Sequence, residues 1–176
     1  MTTALVQLGA RAPVEGPEGL LLECHERIRR FVGLAAEVGA RLELPAPEVV
    51  AACERCARYF GEALPLHIED EEASVRPRLT GLGPEVASAL AQMHDQHAAH
   101  EALLAALQAA LSEVRLAPVD GAARGRLFEA ASALRAAFEP HLALEERVIF
   151  PALRRLPDAA RAELVSEQRA RRRPGA

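Results

Sequence analysis

The sequence predicts an all-α protein: an antiparallel up-down four-helix bundle with a short fifth helix at the C-terminal end. Apolar residues recur at steps of three and four along four long segments. Short breakers rich in proline or glycine separate these segments. The composition also favours helix, because Ala is abundant and Arg supplies all 21 basic residues. The length of 176 residues is that of one domain.

Recognisable signals mark where the predicted helices begin and end. The first helix begins at Pro17, with proline in its first turn and Glu18 beside it. Breaks follow at residues 45–47, 80–84 and 116–121, and Asp158 is a candidate cap for the short last helix. Pro65 lies inside the second helix and is expected to kink or split it. The predicted helices cover residues 17–40, 47–76, 84–114, 122–150 and 158–169.

These boundaries divide the chain into a flexible N-terminal leader (1–16), the bundle (17–168) and a disordered basic tail (169–176). Aromatic residues make up 3% and the net charge is −4, which argues against a nucleic-acid partner. No run of about 18 uncharged apolar residues exists, so no membrane span is expected. The first residues do not resemble a secretory signal, and we therefore expect a cytoplasmic protein.

Two segments of the chain match at an offset of 74 residues. The string HIEDEEASVRPRL begins at His67, and HLALEERVIFPAL begins at His141. Each has Glu-Glu four and five residues after the His, Pro at plus ten and Leu at plus twelve. A weaker pair, Glu-Cys-His ending at His25 and Asp-Gln-His ending at His97, matches at an offset of 72. The chain thus consists of two helix pairs, each with one His followed by a His-x-x-x-Glu.

The His-x-x-x-Glu spacing predicts which carboxylates point inward. Residues four apart on an α-helix lie on nearly the same face, about 6 Å apart along the axis. Residues five apart diverge by roughly 140°. Glu71 and Glu145 are therefore favoured as inward groups over Glu72 and Glu146, unless the helix bulges.

The energetics of burial indicate a metal centre. The apolar stripes place four His and two Glu in the bundle core, where each unpaired imidazole costs about 1–3 kcal/mol and each unpaired carboxylate several. A pair of divalent cations would supply a common partner. Mixed nitrogen and oxygen ligands are more typical of iron or manganese than of structural zinc sites, which are rich in thiolate. The candidate ligands are His25, His67, Glu71, His97, His141 and Glu145, with His100 as an alternative to His97 or a further donor.

The pattern His … His-x-x-x-Glu, repeated, resembles that of hemerythrin-like (HHE cation-binding) domains over about residues 18–156. The resemblance implies an oxo-bridged non-haem di-iron centre, with His25 and His67 on one side, His97 and His141 on the other, and bridging glutamates. It also implies an exchangeable position for a small diatomic or peroxide ligand. The absence of Asp from the fourth-helix motif is unlike the oxygen-carrying hemerythrins and more like bacterial members associated with redox, nitric oxide or peroxide responses.

Three functions remain open at this point. The first is a module that binds or senses oxygen, nitric oxide or peroxide, and the second is a di-iron enzyme acting on peroxide or nitric oxide. The third is a metal-free helical interaction module. The cysteines, including the pair Cys53 and Cys56, are interpreted as small core residues, because a redox pair would lie at a helix N-terminus.

Overall fold

The computed structural model describes residues 16–173, and this part of the chain is all-helical, with five helices and no strand. Helix α1 is Pro17–Ala40, α3 is Pro84–Leu116 and α5 is Asp158–Arg171. Helices α2 (46–79) and α4 (121–154) are each continuous but contain wider π-helical turns. The predicted helices are therefore all present, and α2 and α4 extend three or four residues further than expected.

Three π-helical turns interrupt the regular α-helical geometry, and each ends two residues before a proline. Their bounds are Tyr59–Ala63, Asp70–Val75 and Glu145–Ile149. The prolines that follow are Pro65, Pro77 and Pro151. A proline inside a helix lacks the N–H for the i−4 bond and its ring clashes with that carbonyl, and a wider turn accommodates both effects. The expected kink or split at Pro65 therefore takes the form of a π turn within an unbroken helix.

Each of the four long helices packs against two of the others, in a ring of contacts. Helix α1 packs against α4 and α2, and α3 packs against α4 and α2. The approach of α1 to α4 is close at Gly39, where a Cβ atom would lie 2.5 Å from the backbone nitrogen of Phe128. Helix α5 packs outside this ring of four helices, against α1 and the π turn Asp70–Val75.

Two apolar clusters fill the interior and leave a polar layer between them. One contains Ile28, Leu64 and Leu107, and the other contains Leu21, Val75 and Met93. Along α1, for example, His25 lies between Leu21 of one cluster and Ile28 of the other. The candidate site residues belong to this intervening layer, so apolar side chains shield them on both sides.

The predicted leader, apart from Gly16, lies outside the described residues. At the other end, α5 continues to Arg171, so the first residues of the segment expected to be a tail are helical. Arg171 and Arg172 pair with the buried carboxylate of Asp70 at 2.8 and 2.6 Å. Among residues 16–173, no helix has the length and apolar character needed to cross a bilayer.

Candidate metal centre

The polar layer contains six ionisable side chains contributed by four helices. None of them is more than 8% exposed. They are His25 on α1, His67 and Glu71 on α2, His97 on α3, and His141 and Glu145 on α4. The structure thus brings together the six residues that the repeat predicts as inward groups.

These side chains form two groups of possible metal ligands. One group is His25, His67, Glu71 and Glu145, and the other is Glu71, His97, His141 and Glu145. Within each group the donor atoms lie within 4.8 Å of one another. Both carboxylates belong to both groups, so the two histidine pairs flank a shared pair of glutamates.

Each shared carboxylate directs one oxygen toward each group. Oε1 of Glu71 is 3.1 Å from Nε2 of His67, and its Oε2 is 3.1 Å from Nε2 of His97. Oε1 of Glu145 is 2.9 Å from Nε2 of His141, and its Oε2 is 3.0 Å from Nε2 of His25. This is the arrangement expected of two carboxylates that bridge a pair of cations.

Several of these close atoms nevertheless have no hydrogen-bond partner in the part of the chain that the structure describes. They are Nε2 of His67 and His97, both oxygens of Glu71, and Oε1 of Glu145. In these contacts of about 3 Å, the lone pairs of a nitrogen and an oxygen therefore face each other, and no N–H or O–H group is directed between the two atoms. Two ligand atoms at about 2.1 Å from one ion and at right angles are about 3.0 Å apart. The donor set therefore fits a cation at each group, and such a cation would satisfy the unpartnered atoms.

The pKa values of the buried groups in this layer also favour the binding of a positive charge. Burial and the nearby charge of Glu145 raise the pKa of Glu71 well above its usual value. Burial acts to raise the pKa of Glu145 as well, but the imidazoles of His141 and His25 hold it well below the ordinary range. Burial lowers the pKa of His67 to about 3, so this imidazole is neutral near pH 7 and its nitrogen lone pair is free to bind a cation.

Three of the four histidines have an acceptor on the nitrogen that faces away from the centre. Nδ1 of His25 lies 2.9 Å from Glu146 Oε1, and Nδ1 of His97 lies 2.8 Å from Glu72 Oε1. Nδ1 of His141 lies 3.0 Å from Gln96 Oε1. An acceptor at Nδ1 holds the proton there, which leaves the Nε2 lone pair directed at the centre.

Sequence reasoning placed Glu72 and Glu146 away from the centre, and they do lie outside both ligand groups. The structure places them against His97 and His25, next to the two groups. The π turns bring residues five apart onto neighbouring positions of one face, which a regular α-helix does not do. The prolines at plus ten of the repeat, which follow these turns, are the sequence signal for this geometry. For Gln96 we find no such signal.

His100 lies beside the centre and outside both groups. The centroid of its ring lies 5.0 Å from the ring centroid of His141 and 4.5 Å from that of Phe138. Its Nδ1 is buried and has no hydrogen-bond partner among the described residues. This placement favours His97 over His100 as the ligand from α3.

The cysteines are buried free thiols, and none belongs to either ligand group. Cys53 and Cys56 lie in the apolar cluster that contains Ile28, where burial raises their pKa values to about 11 and about 12. Both remain protonated at neutral pH, which is consistent with their interpretation as small core residues.

Comparison with known proteins gives similar but uncharacterised relatives. The chain is 32% identical over 149 residues to uncharacterised proteins of Mycobacterium tuberculosis and Mycobacterium bovis, which is 81% of this chain and 54% of each relative. It is 30% identical over 105 residues to an uncharacterised protein of Haemophilus influenzae, which is 56% of this chain and 61% of the relative. The chain thus spans between half and two thirds of the length of these relatives.

The sequence also matches the hemerythrin HHE cation-binding domain, over residues 17–153 and again over 88–172. The first match includes all six residues of the two ligand groups. Because it covers well over half of the sequence, this chain belongs to the hemerythrin HHE cation-binding domain family.

Proposed function

We propose that this protein is a hemerythrin-like non-haem di-iron protein that binds or senses a small ligand: oxygen, nitric oxide or peroxide. The centre would lie in the core of an antiparallel up-down four-helix bundle, with α5 as the short additional helix. The observation that carries this proposal is the pair of four-residue groups that share Glu71 and Glu145. Two cations with two carboxylates in common form one centre instead of two independent sites.

The donor chemistry favours iron. Each group offers two imidazole nitrogens and two carboxylate oxygens, and no thiolate takes part among the described residues. Such mixed ligands suit iron or manganese, whereas structural zinc sites are typically rich in thiolate. Family membership makes iron the first choice. Four protein donors per cation are fewer than the six of an octahedral ion, which leaves room for an exogenous ligand.

A bound iron pair would supply open coordination positions and redox capacity toward small ligands. The protein side chains have separate tasks around it. Glu71 and Glu145 offset the charge of the cations, and Glu72 and Glu146 orient His97 and His25. The two apolar clusters keep bulk water out of the polar layer.

Anaerobic reconstitution with Fe²⁺ tests the proposal directly. We expect elemental analysis to find about two irons per chain, one for each ligand group. Air oxidation should then give a near-ultraviolet charge-transfer band. His67→Ala and Glu145→Ala should lower the iron content sharply, whereas Cys53→Ala, at an equally buried position outside both groups, should not. Equal iron content in the three variants would contradict the ligand assignment.

The same preparation distinguishes the alternatives. Turnover of peroxide or nitric oxide by the iron-loaded protein would establish a di-iron enzyme in place of a binding module. A protein that purifies without metal, takes up no iron and melts at the same temperature with and without a chelator would be a metal-free helical interaction module.

A further inference from the structure

The two halves of the centre are related by the internal repeat, and their components match in pairs. The offset of 72 relates His25 to His97, and the offset of 74 relates the second His and the two glutamates of each half. The outer carboxylates match as well. Glu146 accepts from Arg29 at 2.8 Å and Glu72 from Arg76 at 2.9 Å, and each also contacts a histidine of the centre.

One pair of equivalent positions breaks this correspondence. Gln96, immediately before His97, has its Oε1 3.0 Å from Nδ1 of His141. Its equivalent, immediately before His25, is Cys24. Nδ1 of His67, the counterpart of His141, is buried and has no hydrogen-bond partner among residues 16–173. Thus three of the four histidines have an acceptor behind them, and His67 does not.

The contacts of Cys24 explain why it does not replace the glutamine. Its Sγ accepts from Nη2 of Arg172 at 3.7 Å, and its backbone oxygen accepts from the hydroxyl of Tyr59 at 3.4 Å. A cysteine sulfur is also only a weak hydrogen-bond acceptor. The thiol is thus bonded to Arg172, the residue that follows α5, and does not support His67.

We propose that the two cation sites of this centre are unequal, and that the site of His97 and His141 binds its cation more tightly than the site of His25 and His67. An acceptor behind a ligating histidine orients the ring and raises its basicity, and its loss typically lowers metal affinity by about 10–100-fold. This inference rests on the proposed metal centre. It assigns to Gln96 the role of a positioning residue and predicts the order in which the sites fill.

The experiment is an anaerobic titration of the metal-free protein with Fe²⁺ in competition with a chromophoric chelator. We expect two binding steps whose affinities differ by about 10–100-fold. His67→Ala should remove the weaker step and His141→Ala the tighter one. Two steps of equal affinity, or loss of the weaker step in His141→Ala, would overturn the inference and leave the proposed function intact. Failure to bind any iron would overturn both.

Exchange of the two equivalent residues tests the cause of the inequality. Cys24→Gln should tighten the weaker step, and a neighbouring cavity of about 350 Å³, lined in part by Cys24 and Leu66, provides room for the longer side chain. Gln96→Cys should weaken the tighter step by about 10–100-fold. The controls are Cys24→Ala and Gln92→Cys, an exposed position one turn from Gln96, and both should retain the wild-type affinities.

The Gln96→Cys arm decides the matter if Cys24→Gln does not fold, because it shortens a half-buried side chain and requires no additional space. Wild-type affinity of the tighter step in Gln96→Cys would refute the role of the glutamine. An equal loss of affinity in Gln92→Cys would refute it too, since that position is exposed and lies one turn from Gln96.

Discussion

Replacement of Glu145 by glutamine should abolish most of the metal-dependent stability of the protein. Glu145 places one oxygen near a histidine of each ligand group, 2.9 Å from His141 and 3.0 Å from His25. Glutamine preserves the shape of the side chain but removes the negative charge and one of the two acceptor oxygens. Both cation sites should therefore be weakened by this single substitution.

The expected size of the effect follows from the two ligand groups. A ligand present at 100 times its dissociation constant stabilises the native state by about 2.7 kcal/mol. Two such ions give about 5 kcal/mol in total, and a domain of this length shifts its Tm by about 2–4 °C per kcal/mol. We therefore expect a chelator to lower the Tm of the wild-type protein by about 10–20 °C, and that of the variant by much less.

The metal-free proteins should behave differently from the loaded ones. In the absence of a cation Glu145 is a buried charge, and its removal relieves the cost of burial. The Tm values of the metal-free wild type and of Glu145→Gln should thus lie within a few degrees, which a purely structural role for this carboxylate would not give.

Thermal melts followed by circular dichroism, with Fe²⁺ under anaerobic conditions and with or without a chelator, measure both quantities. Glu101→Gln is the matched control, because Glu101 is an exposed carboxylate on α3. A chelator-dependent shift in Glu145→Gln as large as in the wild type would refute the bridging role. The absence of any shift in the wild type would refute the metal centre itself.

Further predictions concern the packing around the centre. The Cys56 thiol, whose pKa burial raises to about 12, should react with a thiol reagent at pH 8 only as fast as the protein unfolds, and fast labelling of the native state would contradict this. Gly39→Ala should cost about 1–3 kcal/mol by overpacking against α4, whereas Gly125→Ala, whose Cβ meets nothing within 4 Å, should stabilise by up to about 1 kcal/mol; equal Tm shifts in the two variants would be inconsistent with this packing. Arg171→Ala should cost about 1–3 kcal/mol in urea unfolding, because it removes one of two guanidinium groups from the buried Asp70, and an unchanged midpoint would show that the pair contributes nothing.

The internal repeat accounts for how much of the site could be predicted from the sequence. An i,i+4 pair of polar groups on an otherwise apolar stripe is costly in a core, and its duplication makes a chance surface pair an unsatisfactory explanation. Helical periodicity alone therefore predicted that Glu71 and Glu145 lie in the same buried layer as four histidines. It did not choose between His97 and His100, because both lie on the inward stripe of α3 and only the approach of His97 to Glu71 separates them.

The outer contacts of the histidines could not be predicted on the assumption of regular helices. Glu72 and Glu146 reach His97 and His25 because their helices widen at the π turns. The expected distortion at Pro65 lies before His67, whereas the π turns that bring Glu72 and Glu146 to the histidines follow His67 and His141. The relevant signal was Pro77 and Pro151, which follow the glutamates.

The fifth helix accounts for a departure of the two halves from each other. Asp70 and Ser74, in the π turn of α2, both bond to Arg171 of α5. Their repeat equivalents are Leu144 and Val148, which lie in an apolar cluster. Burial of Asp70 is tolerable because α5 brings arginines to it, and the second half has no comparable cover among the described residues.

The residue that follows this helix also contacts the position at which the surroundings of the proposed metal ligands differ between the two halves. Arg172, which pairs with Asp70, donates to the thiol of Cys24, where the other half has Gln96 in contact with His141. The Cys24 side chain thus bonds to the guanidinium and supplies no acceptor to His67. The packing of α5 on one half is thus the physical reason that a duplicated scaffold would hold two unlike cation sites.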